Sequence, residues 1–388
     1  MLEALDDAIP LYPVYPILFA DHGLSTARIS VLYILWSATG LLINVPAGAL
    51  ADRVSRRALL VVAGLLRAAG FGLWVLAPTF TGFAVGFVLW GVAGSLISGT
   101  FEALVYDEVA AAGASDDYGR LTGHAGTIKL VASAIVTALA IPLLRFGGFG
   151  LVGAASSAVC VVWAMVALAL PQRPRVTETG IEGGLRGYLT TLRTGVTEAA
   201  TRPAVRGLLL IAALLPALTV IDEYVPLLGH AYRLPASIVP VFLLVITLTA
   251  AVGNWCAGRW WSARSSRIAM ILALGGIALI ASGLTSSVAG FAGVGIAFGF
   301  IQFGIVTTNI RLQHAITGAA RATITSVADV GADIASIILF AVCGLLSQRL
   351  SVIPLIAWFG VPVMLLALAA TRWLGPAPKD REPDPTDS

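Results

Sequence analysis

Long apolar runs, separated by short polar breaks, dominate this chain. They cover residues 2–20, 27–51, 58–77, 80–105, 121–145, 150–170, 204–228, 237–258, 267–285, 289–310, 322–347 and 352–374. A helix of about 20 apolar residues crosses a bilayer, whereas barrel strands alternate apolar and polar residues over about 10 positions. The pattern therefore predicts an all-α polytopic membrane protein with twelve transmembrane helices.

The composition supports a lipid environment for these helices. Of the 388 residues, 58% are hydrophobic and 12% are charged, and the mean hydropathy is +0.90. A soluble domain has about a quarter of its residues charged, because its surface faces water. Cys160, Cys256 and Cys343 lie in separate apolar runs, which predicts neither a disulfide framework nor a metal site. No cofactor is expected, and the lipid bilayer is the main partner.

Basic residues are distributed unequally between the two sets of polar breaks. If the N-terminus is cytosolic, 18 of the 24 lysines and arginines lie in inside segments, and two, Arg67 and Lys129, lie inside spans. The outside segments then hold only Arg28, Arg145, Arg233 and Arg349. Cytosolic loops carry such an excess, so both termini are predicted to be cytosolic. The first ten residues are acidic where a signal peptide would be basic, which predicts that the first span is retained. A net charge of +3 does not indicate a nucleic-acid partner.

The longest polar interval, 171–203, divides the runs into six and six. Pro16-Ile-Leu matches Pro226-Leu-Leu at an offset of 210, and Arg120-Leu-Thr matches Arg321-Ala-Thr at an offset of 201. A duplicated six-helix unit explains both matches. The predicted parts are an N-terminal six-helix bundle over 1–170, a cytosolic linker over 171–203, a C-terminal bundle over 204–374 and a disordered cytosolic tail over 375–388.

The segment 48–57, GALADRVSRR, lies at the predicted cytosolic end of span 2. Gly48 has no side chain, so a neighbouring helix can approach it closely. Asp52 can accept hydrogen bonds from free N–H groups at another helix's N-terminus, where the macrodipole favours negative charge. Arg56 can pair with Asp107, the acid at the end of span 4. An ordinary anchor loop would need arginines, but not glycine and aspartate at this spacing.

This segment resembles the signature loop of the major facilitator superfamily (MFS), G-x-L-x-D-R-x-G-R-R, with Ser55 in place of the usual glycine. Segments 21–25, 98–107, 222–226 and 321–326 look like one bacterial branch of that superfamily, so the resemblance covers most of the chain. It implies the MFS fold of two pseudo-symmetric six-helix bundles, a functional monomer in the bacterial inner membrane, and a gating motif. The matching gating positions are Gly48, Asp52, Arg53, Arg56, Arg57, Asp107, Arg120 and Arg321.

Span 11 carries a stripe of polar residues spaced 3-3-4-3, which places them on one helical face. The members of this stripe are Thr323, Ser326, Asp329, Asp333 and Ser336. Two carboxylates one turn apart repel each other when both are ionised. Asp333 lies near mid-membrane, where a charge is expensive and usually faces a cavity or a partner. Asp329 and Asp333 are therefore candidate substrate or proton sites, with a structural polar seam between helices as the alternative.

Other polar residues within spans are further candidates. Lys129 in span 5 can neutralise a substrate anion or a buried carboxylate, or can snorkel or be held by packed acids. Asp222 and Glu223, near the outer end of span 7, fit an outer gate or proton site and equally fit a solvated helix end. Glu102 in span 4 and Asn44 in span 2 complete the set. Asn44 stands where the resembled branch is expected to carry an acid, in Leu-Glu-Val-Pro.

These features predict a secondary active transporter that moves a small molecule by alternating access. The first hypothesis is an antiporter that couples proton entry to efflux of a lipophilic or drug-like compound. Uptake or facilitated diffusion of a metabolite is the alternative. A polytopic membrane enzyme is a distant alternative, because the sequence has no HExxH motif, nucleophile elbow or Walker A loop. Arg67 in span 3 has no partner that the sequence identifies.

Overall fold

A computed structural model describes residues 2–111, 118–170, 193, 197, 203–285, 287–316 and 321–375. The N-terminal helices are α1 (Leu2–Asp6), α2 (Tyr15–Asp21), α3 (Thr26–Arg53), α4 (Arg56–Leu76), α5 (Phe80–Ala111) and α6 (Tyr118–Leu168). The later ones are α7 (Pro203–Ala217), α8 (Val225–Ala231), α9 (Val239–Trp260), α10 (Ser265–Leu284), α11 (Gly290–Ala315), α12 (Arg321–Leu346), α13 (Val352–Trp358) and α14 (Gly360–Trp373).

The described helices accommodate the twelve predicted spans. Ten stretches among the described residues are long and apolar enough to cross a membrane, and one of them, Val131–Leu168, contains 38 residues. That stretch holds the two predicted spans 121–145 and 150–170 in part, and Gly148 interrupts its helical geometry with φ 58° and ψ −159°. The first predicted span consists of two short helices, α1 and α2, neither of which has the length of a span.

The first and seventh predicted spans are divided at prolines. Residues 7–14, which include two prolines, separate α1 from α2, and a 3₁₀ segment, Leu218–Tyr224, follows Pro216 at the end of α7. Proline lacks an N–H donor and clashes with the preceding turn, so a helix does not continue regularly through it. Pro16 and Pro226 lie in the first turn of α2 and α8, where that N–H is not needed.

The short helices α2 and α8 end in the same way, 210 residues apart. Each ends in a Schellman turn, in which the second residue after the helix has a left-handed backbone: Gly23 with φ 79° and Arg233 with φ 56°. In both turns the next N–H donates to the carbonyl five residues earlier, from Leu24 to Phe19 at 3.1 Å and from Leu234 to Gly229 at 3.0 Å. The repeat found in the sequence therefore extends to the backbone geometry.

Large apolar side chains point away from the protein along the spans. Leu76, Leu284 and Leu42 are 86%, 79% and 72% exposed. A soluble protein rarely exposes such side chains over a wide surface, whereas lipid tails are as apolar as leucine. This surface fits a chain that crosses the bilayer many times.

The chain packs as two compact units. The first comprises residues 1–190, 220–247 and 336–355, and the second comprises residues 191–219, 248–335 and 356–388. In the first unit α4 packs against α5 and α6, α3 against α5, and α2 against α8. In the second unit α10 packs against α11 and α14. The division at 171–203 into two six-helix halves stays a prediction.

Glycines allow two helices of the second unit to touch. A Cβ atom at Gly253 in α9 would lie 2.0 Å from the carbonyl oxygen of Gly299 in α11. A Cβ atom at Gly299 would lie 2.9 Å from the carbonyl oxygen of Thr249. Small residues permit this close approach in membrane proteins, where van der Waals packing holds helices together.

We expect Gly253→Ala to destabilise the protein by about 1–3 kcal/mol, because the added methyl group must push α9 away from α11. The thermal unfolding midpoint of detergent-solubilised protein measures the effect. Gly258→Ala is the matched control in the same helix, since no described atom lies within 4 Å of its Cβ position. Alanine stabilises a helix more than glycine does, so the unfolding midpoint of Gly258→Ala should equal or exceed that of the wild type. Equal midpoints for the two variants would contradict the close contact.

Candidate functional site

A charged cluster joins the end of α1 to the middle of α4 in the first unit. Arg67 Nη1 donates to Asp6 Oδ1 at 2.6 Å. Arg67 Nη2 donates to the carbonyl oxygen of Asp6 and, at 2.7 Å, to the hydroxyl of Tyr12. Arg67 is 4% exposed, and a buried charge is tolerated only when it is paired and hydrogen-bonded. One guanidinium thus holds the break between α1 and α2 against α4.

A second cation reaches this cluster from α6. Lys129 Nζ lies 3.1 Å from Asp6 Oδ2 and 3.3 Å from Asp7 Oδ2. The side chains of Lys129 and Asp7 are 34% and 42% exposed, compared with 5% for Arg67. Asp6 is therefore shared between two cations, whereas Asp7 and Lys129 stay accessible. Of the roles open to Lys129 in the sequence, contact with acids is the one that this geometry shows.

These charged residues line a cavity of about 490 Å³. Trp36 from α3 and Trp90 from α5 stack there, with ring centroids 4.5 Å apart and an interplanar angle of 21°. Tyr12 stacks on the same Trp90 ring at 5.1 Å. Small-molecule sites are typically cavities of about 300–1,000 Å³, with mostly apolar or aromatic walls and a few placed polar groups. The cavity of the first unit has this character and is the candidate binding site.

The sequence did not identify this cluster. Arg67 had no partner, and Asp6, Asp7, Trp36 and Trp90 were not selected. Arg67 and Asp6 are 61 residues apart, so no local pattern connects them. A signal was nevertheless present, because span 1 contains acids and spans 3 and 5 each contain a basic residue several positions away from either end of the span. Charges inside a membrane commonly pair with one another.

A second polar contact joins α2 and α3 to the segment before α8. The Tyr15 hydroxyl donates to the Glu223 carboxylate, and the Tyr33 hydroxyl donates to the Glu223 carbonyl oxygen at 3.0 Å. The hydroxyl oxygens of Ser30 and Tyr224 lie 2.8 Å apart. Tyr15, Tyr33 and Tyr224 are almost completely buried, so their hydroxyl groups need these partners. We call these five residues the tyrosine junction.

Aromatic rings surround the tyrosine junction. Tyr33 lies edge-on to Tyr224 with centroids 5.7 Å apart, and 5.1 Å from Phe340 of α12. Tyr15 packs against Trp74 of α4 at 5.3 Å. The Glu223 side chain is thus partly buried beside aromatic rings and hydrogen-bonded to Tyr15, and not simply solvated as at a free helix end. The neighbouring Asp222 is exposed.

The polar stripe of α12 belongs mostly to the second unit. Asp329 and Asp333 are both exposed. The exposed apolar residues Ile334, Ile338 and Leu345 lie on the opposite side of the helix, at about 3.6 residues per turn. The two carboxylates therefore point away from the face that suits lipid.

The turn between α3 and α4 consists of Val54 and Ser55. The Ser55 hydroxyl accepts a hydrogen bond from the Ala58 N–H at 3.4 Å, so this serine caps α4 at the position where the resembled motif has glycine. Arg57 Nη1 donates to the Leu170 carbonyl oxygen at 3.4 Å, just beyond the end of α6. Cations are favourable at helix C-termini because the last carbonyl groups lack partners.

Several predicted residues have side chains outside the described part of the structure, namely Asp52, Arg53, Glu102, Asp107, Arg120 and Arg321. The expected contacts of Asp52, and of Arg56 with Asp107, therefore stay predictions. At Gly48 no described atom lies within 4 Å of a Cβ position, and Asn44 is exposed on α3. Within the described ranges, no three His, Cys, Asp or Glu residues are placed to hold a metal ion.

Known structures share this architecture. A nucleoside transporter, NupG, matches with a TM-score of 0.71 and 13% identity over 95% of each chain. A D-xylose–proton symporter matches with a TM-score of 0.69 and 15% identity, covering 97% of this chain and 95% of that one. A bacterial homolog of the human lysosomal transporter Spinster, in an inward-facing and occupied conformation, matches with a TM-score of 0.69 and 16% identity. The match covers 96% of this chain and 92% of that one.

At 13–16% identity these matches establish the fold and leave the substrate open. A search of curated proteins finds no match to this sequence. The family model described as Major Facilitator Superfamily matches residues 1–338, which is most of the chain. Together with the all-helical fold and its apolar spans, this match shows that the chain is a multi-pass membrane protein that belongs to the Major Facilitator Superfamily of transporters.

Proposed function

We propose that this protein is a proton-coupled antiporter that exports a lipophilic or drug-like compound by alternating access. Membership of the superfamily supports transport of a small molecule across the membrane. The observation that carries the coupling proposal is the hydrogen bond between Tyr15 and Glu223, which ties an ionisable group to the packing of α2 against α8. Uptake or facilitated diffusion of a metabolite is the second candidate, and the D-xylose–proton symporter and the nucleoside transporter with the same fold favour it.

Glu223 suits coupling because its hydrogen bonds change with its charge. An ionised carboxylate can only accept hydrogen bonds, whereas a protonated one also donates. Aromatic rings surround the junction, so an ionised group there must stay paired or reach water. Opening the tyrosine junction to water and closing it again would therefore be linked to binding and release of a proton. Such a link is what an antiporter needs to use a proton gradient.

Asp333 and Asp329 are the second candidates for the proton site. Their position on α12, opposite the apolar face, supports contact with water or substrate instead of lipid. Glu223 is favoured over both aspartates because the structure describes a hydrogen bond from Tyr15, in another span, to its carboxylate. The gating roles of Asp52, Arg56 and Asp107 are proposed on the resemblance of the segments 48–57 and 98–107 alone.

Export is supported by the aromatic wall of the first-unit cavity. A compound that prefers stacked indole rings to water also enters a bilayer unaided, so a cell needs a transporter mainly to remove it. The direct test uses purified protein in liposomes, with an imposed pH gradient and a panel of dyes, drugs and metabolites. We expect accumulation of lipophilic compounds to require the gradient. A panel in which no compound responds to the gradient would contradict proton coupling, and a response restricted to metabolites would favour uptake.

We further propose that the protein is a monomer in a bacterial plasma membrane with both termini and the 171–203 segment in the cytosol. In a variant without its three native cysteines, a cysteine at Thr177 or Ser388 should resist an impermeant thiol reagent added to intact cells. A cysteine at Phe146, which is 86% exposed beside the Gly148 break, should react. The opposite labelling pattern would reverse the orientation.

A further inference from the structure

One side of α5 lines the cavity of the first unit. The lining residues of this helix are Trp90, Gly94, Ile97, Ser98 and Phe101, which lie on successive turns and share one face. Gly94 lies one turn after Trp90, the central ring of the aromatic stack, and one turn before Ser98. A position without a side chain therefore faces the cavity beside a large indole ring.

Helix packing does not account for Gly94, although it accounts for three other glycines of α5. A Cβ atom at Gly82 would lie 2.1 Å from a carbonyl oxygen, and one at Gly86 would lie 2.1 Å from an indole nitrogen. A Cβ atom at Gly91 would lie 3.0 Å from a threonine side chain of α3. At Gly94, by contrast, no described atom lies within 4 Å of the Cβ position.

The backbone of Gly94 does not require glycine either. Gly94 lies inside α5, and the positive φ angles among the described glycines occur at Gly23, Gly148 and Gly375. Glycine within a helix costs about 1 kcal/mol relative to alanine. Neither backbone conformation nor a close helix contact offsets this cost at Gly94. What the missing side chain provides is open space in a cavity of about 490 Å³.

This space lies where a flat ligand can reach both the backbone of α5 and the aromatic wall. Glycine permits close approach of a ligand to the backbone. Trp90 stacks on Trp36 at 4.5 Å, and aromatic side chains bind other rings through offset or edge contacts. A side chain at Gly94 would project into the volume next to these indoles. The open face therefore suits a broad, flat apolar body.

We infer that Gly94 sets the size limit of the first-unit cavity, which admits compounds with a broad fused-ring body lying against α5. This inference deepens, and rests on, the transport function proposed above, and it names the substrate class of the same site. Gly94 selects for size and Trp90 contacts the rings. Because Gly94 acts through the absence of a side chain, any added side chain reduces the space for the ligand.

The test compares two neutral alcohols that differ in the breadth of their ring system, 2-naphthylmethanol with two fused rings and 1-pyrenylmethanol with four. Titration calorimetry measures their binding to the detergent-solubilised full-length protein. Wild type and variants are compared in the same detergent, so partition of the probes into micelles cancels. Gly94→Leu should weaken the four-ring probe about ten-fold or more, because one methylene in an apolar pocket changes affinity by about that much. The two-ring probe can fit beside the leucine and should keep its affinity.

Unfolding midpoints and a matched variant separate size selection from structural effects. Gly94→Ala should have a thermal midpoint equal to or above that of the wild type, because alanine stabilises a helix more than glycine does. Gly91→Ala should lower the midpoint, because its methyl group meets α3. Gly150→Leu in α6 is the matched control, since Gly150 is exposed, has no described atom within 4 Å of its Cβ position and lies outside the cavity lining. It should change neither affinity.

Unchanged affinity of a folded Gly94→Leu protein for the four-ring probe, or equal losses for both probes, would overturn the inference. A wild-type protein that binds only the two-ring probe, or neither, would also overturn it. The proposed transport function fails separately. Size-dependent binding without movement of the four-ring probe across a liposome membrane would keep the size limit and remove the transporter role. Transport of that probe by Gly94→Leu at the wild-type rate would remove only the inference.

Discussion

Proton-driven accumulation of substrate is expected to be lost in Glu223→Gln, whereas exchange of substrate for substrate continues. Glutamine preserves the size of the side chain, and its amide oxygen can still accept a hydrogen bond from the Tyr15 hydroxyl. It cannot take up or release a proton. The tyrosine junction can therefore still open and close, so movement down a substrate gradient survives. In liposomes with an imposed pH gradient, accumulation should fall to the level measured without a gradient.

Two further variants separate coupling from structural effects. Tyr15→Phe retains the ring and removes the hydroxyl donor to Glu223, so it should shift the pH dependence of accumulation without abolishing it. Asp333→Asn tests the second candidate, and loss of accumulation with intact exchange in that variant would move the coupling site to α12. Wild-type accumulation by Glu223→Gln would exclude Glu223 from coupling.

Loss of the Arg67 charge is expected to have the largest effect on stability. Arg67→Met would leave Asp6 with Lys129 as its only described cation, and the side chain of Asp6 is only 20% exposed. Breaking a buried ion pair costs about 3–5 kcal/mol, and the partial exposure of Asp6 places the expected loss at about 3 kcal/mol. The yield of monodisperse protein and its thermal unfolding midpoint measure this loss.

A double variant shows whether the ion pair is the cause. Asp6→Asn combined with Arg67→Met removes both charges, so it should be more stable than Arg67→Met alone. Arg145→Met is the matched control, because Arg145 is an exposed arginine in a predicted outside segment. Its midpoint should equal that of the wild type. A double variant no more stable than Arg67→Met would show that Arg67 acts through packing and not through its charge.

The helical spans followed closely from the sequence. The predicted span 58–77 corresponds to α4, Arg56–Leu76, and the predicted span 27–51 corresponds to α3, Thr26–Arg53. The break predicted between residues 145 and 150 lies at Gly148, where the helical geometry fails. These features are local, because inside lipid a run of apolar residues can satisfy its backbone only as a helix.

Ionisable residues within spans were also visible in the sequence, but their partners were not. Lys129 and Glu223 were selected as charged residues within predicted spans. The sequence left several roles open for both. The structure places Lys129 beside Asp6 and Asp7, and places Glu223 against Tyr15, a residue 208 positions away. No local pattern identifies these partners, because the members of each pair belong to different spans, 123 residues apart for Lys129 and Asp6.

By itself, the sequence determined a multi-pass helical membrane protein with a repeated pattern, because span length, apolar composition and proline position act within a few turns of chain. Only the tertiary structure decided that Arg67, Lys129 and the acids at the end of α1 meet beside stacked aromatic rings. It also decided that Glu223 joins Tyr15 and Tyr33 in the tyrosine junction. Those contacts depend on how separate helices rotate and cross. In lipid that choice is made by small differences in side-chain packing and hydrogen bonding between distant segments, which no local pattern of residues records.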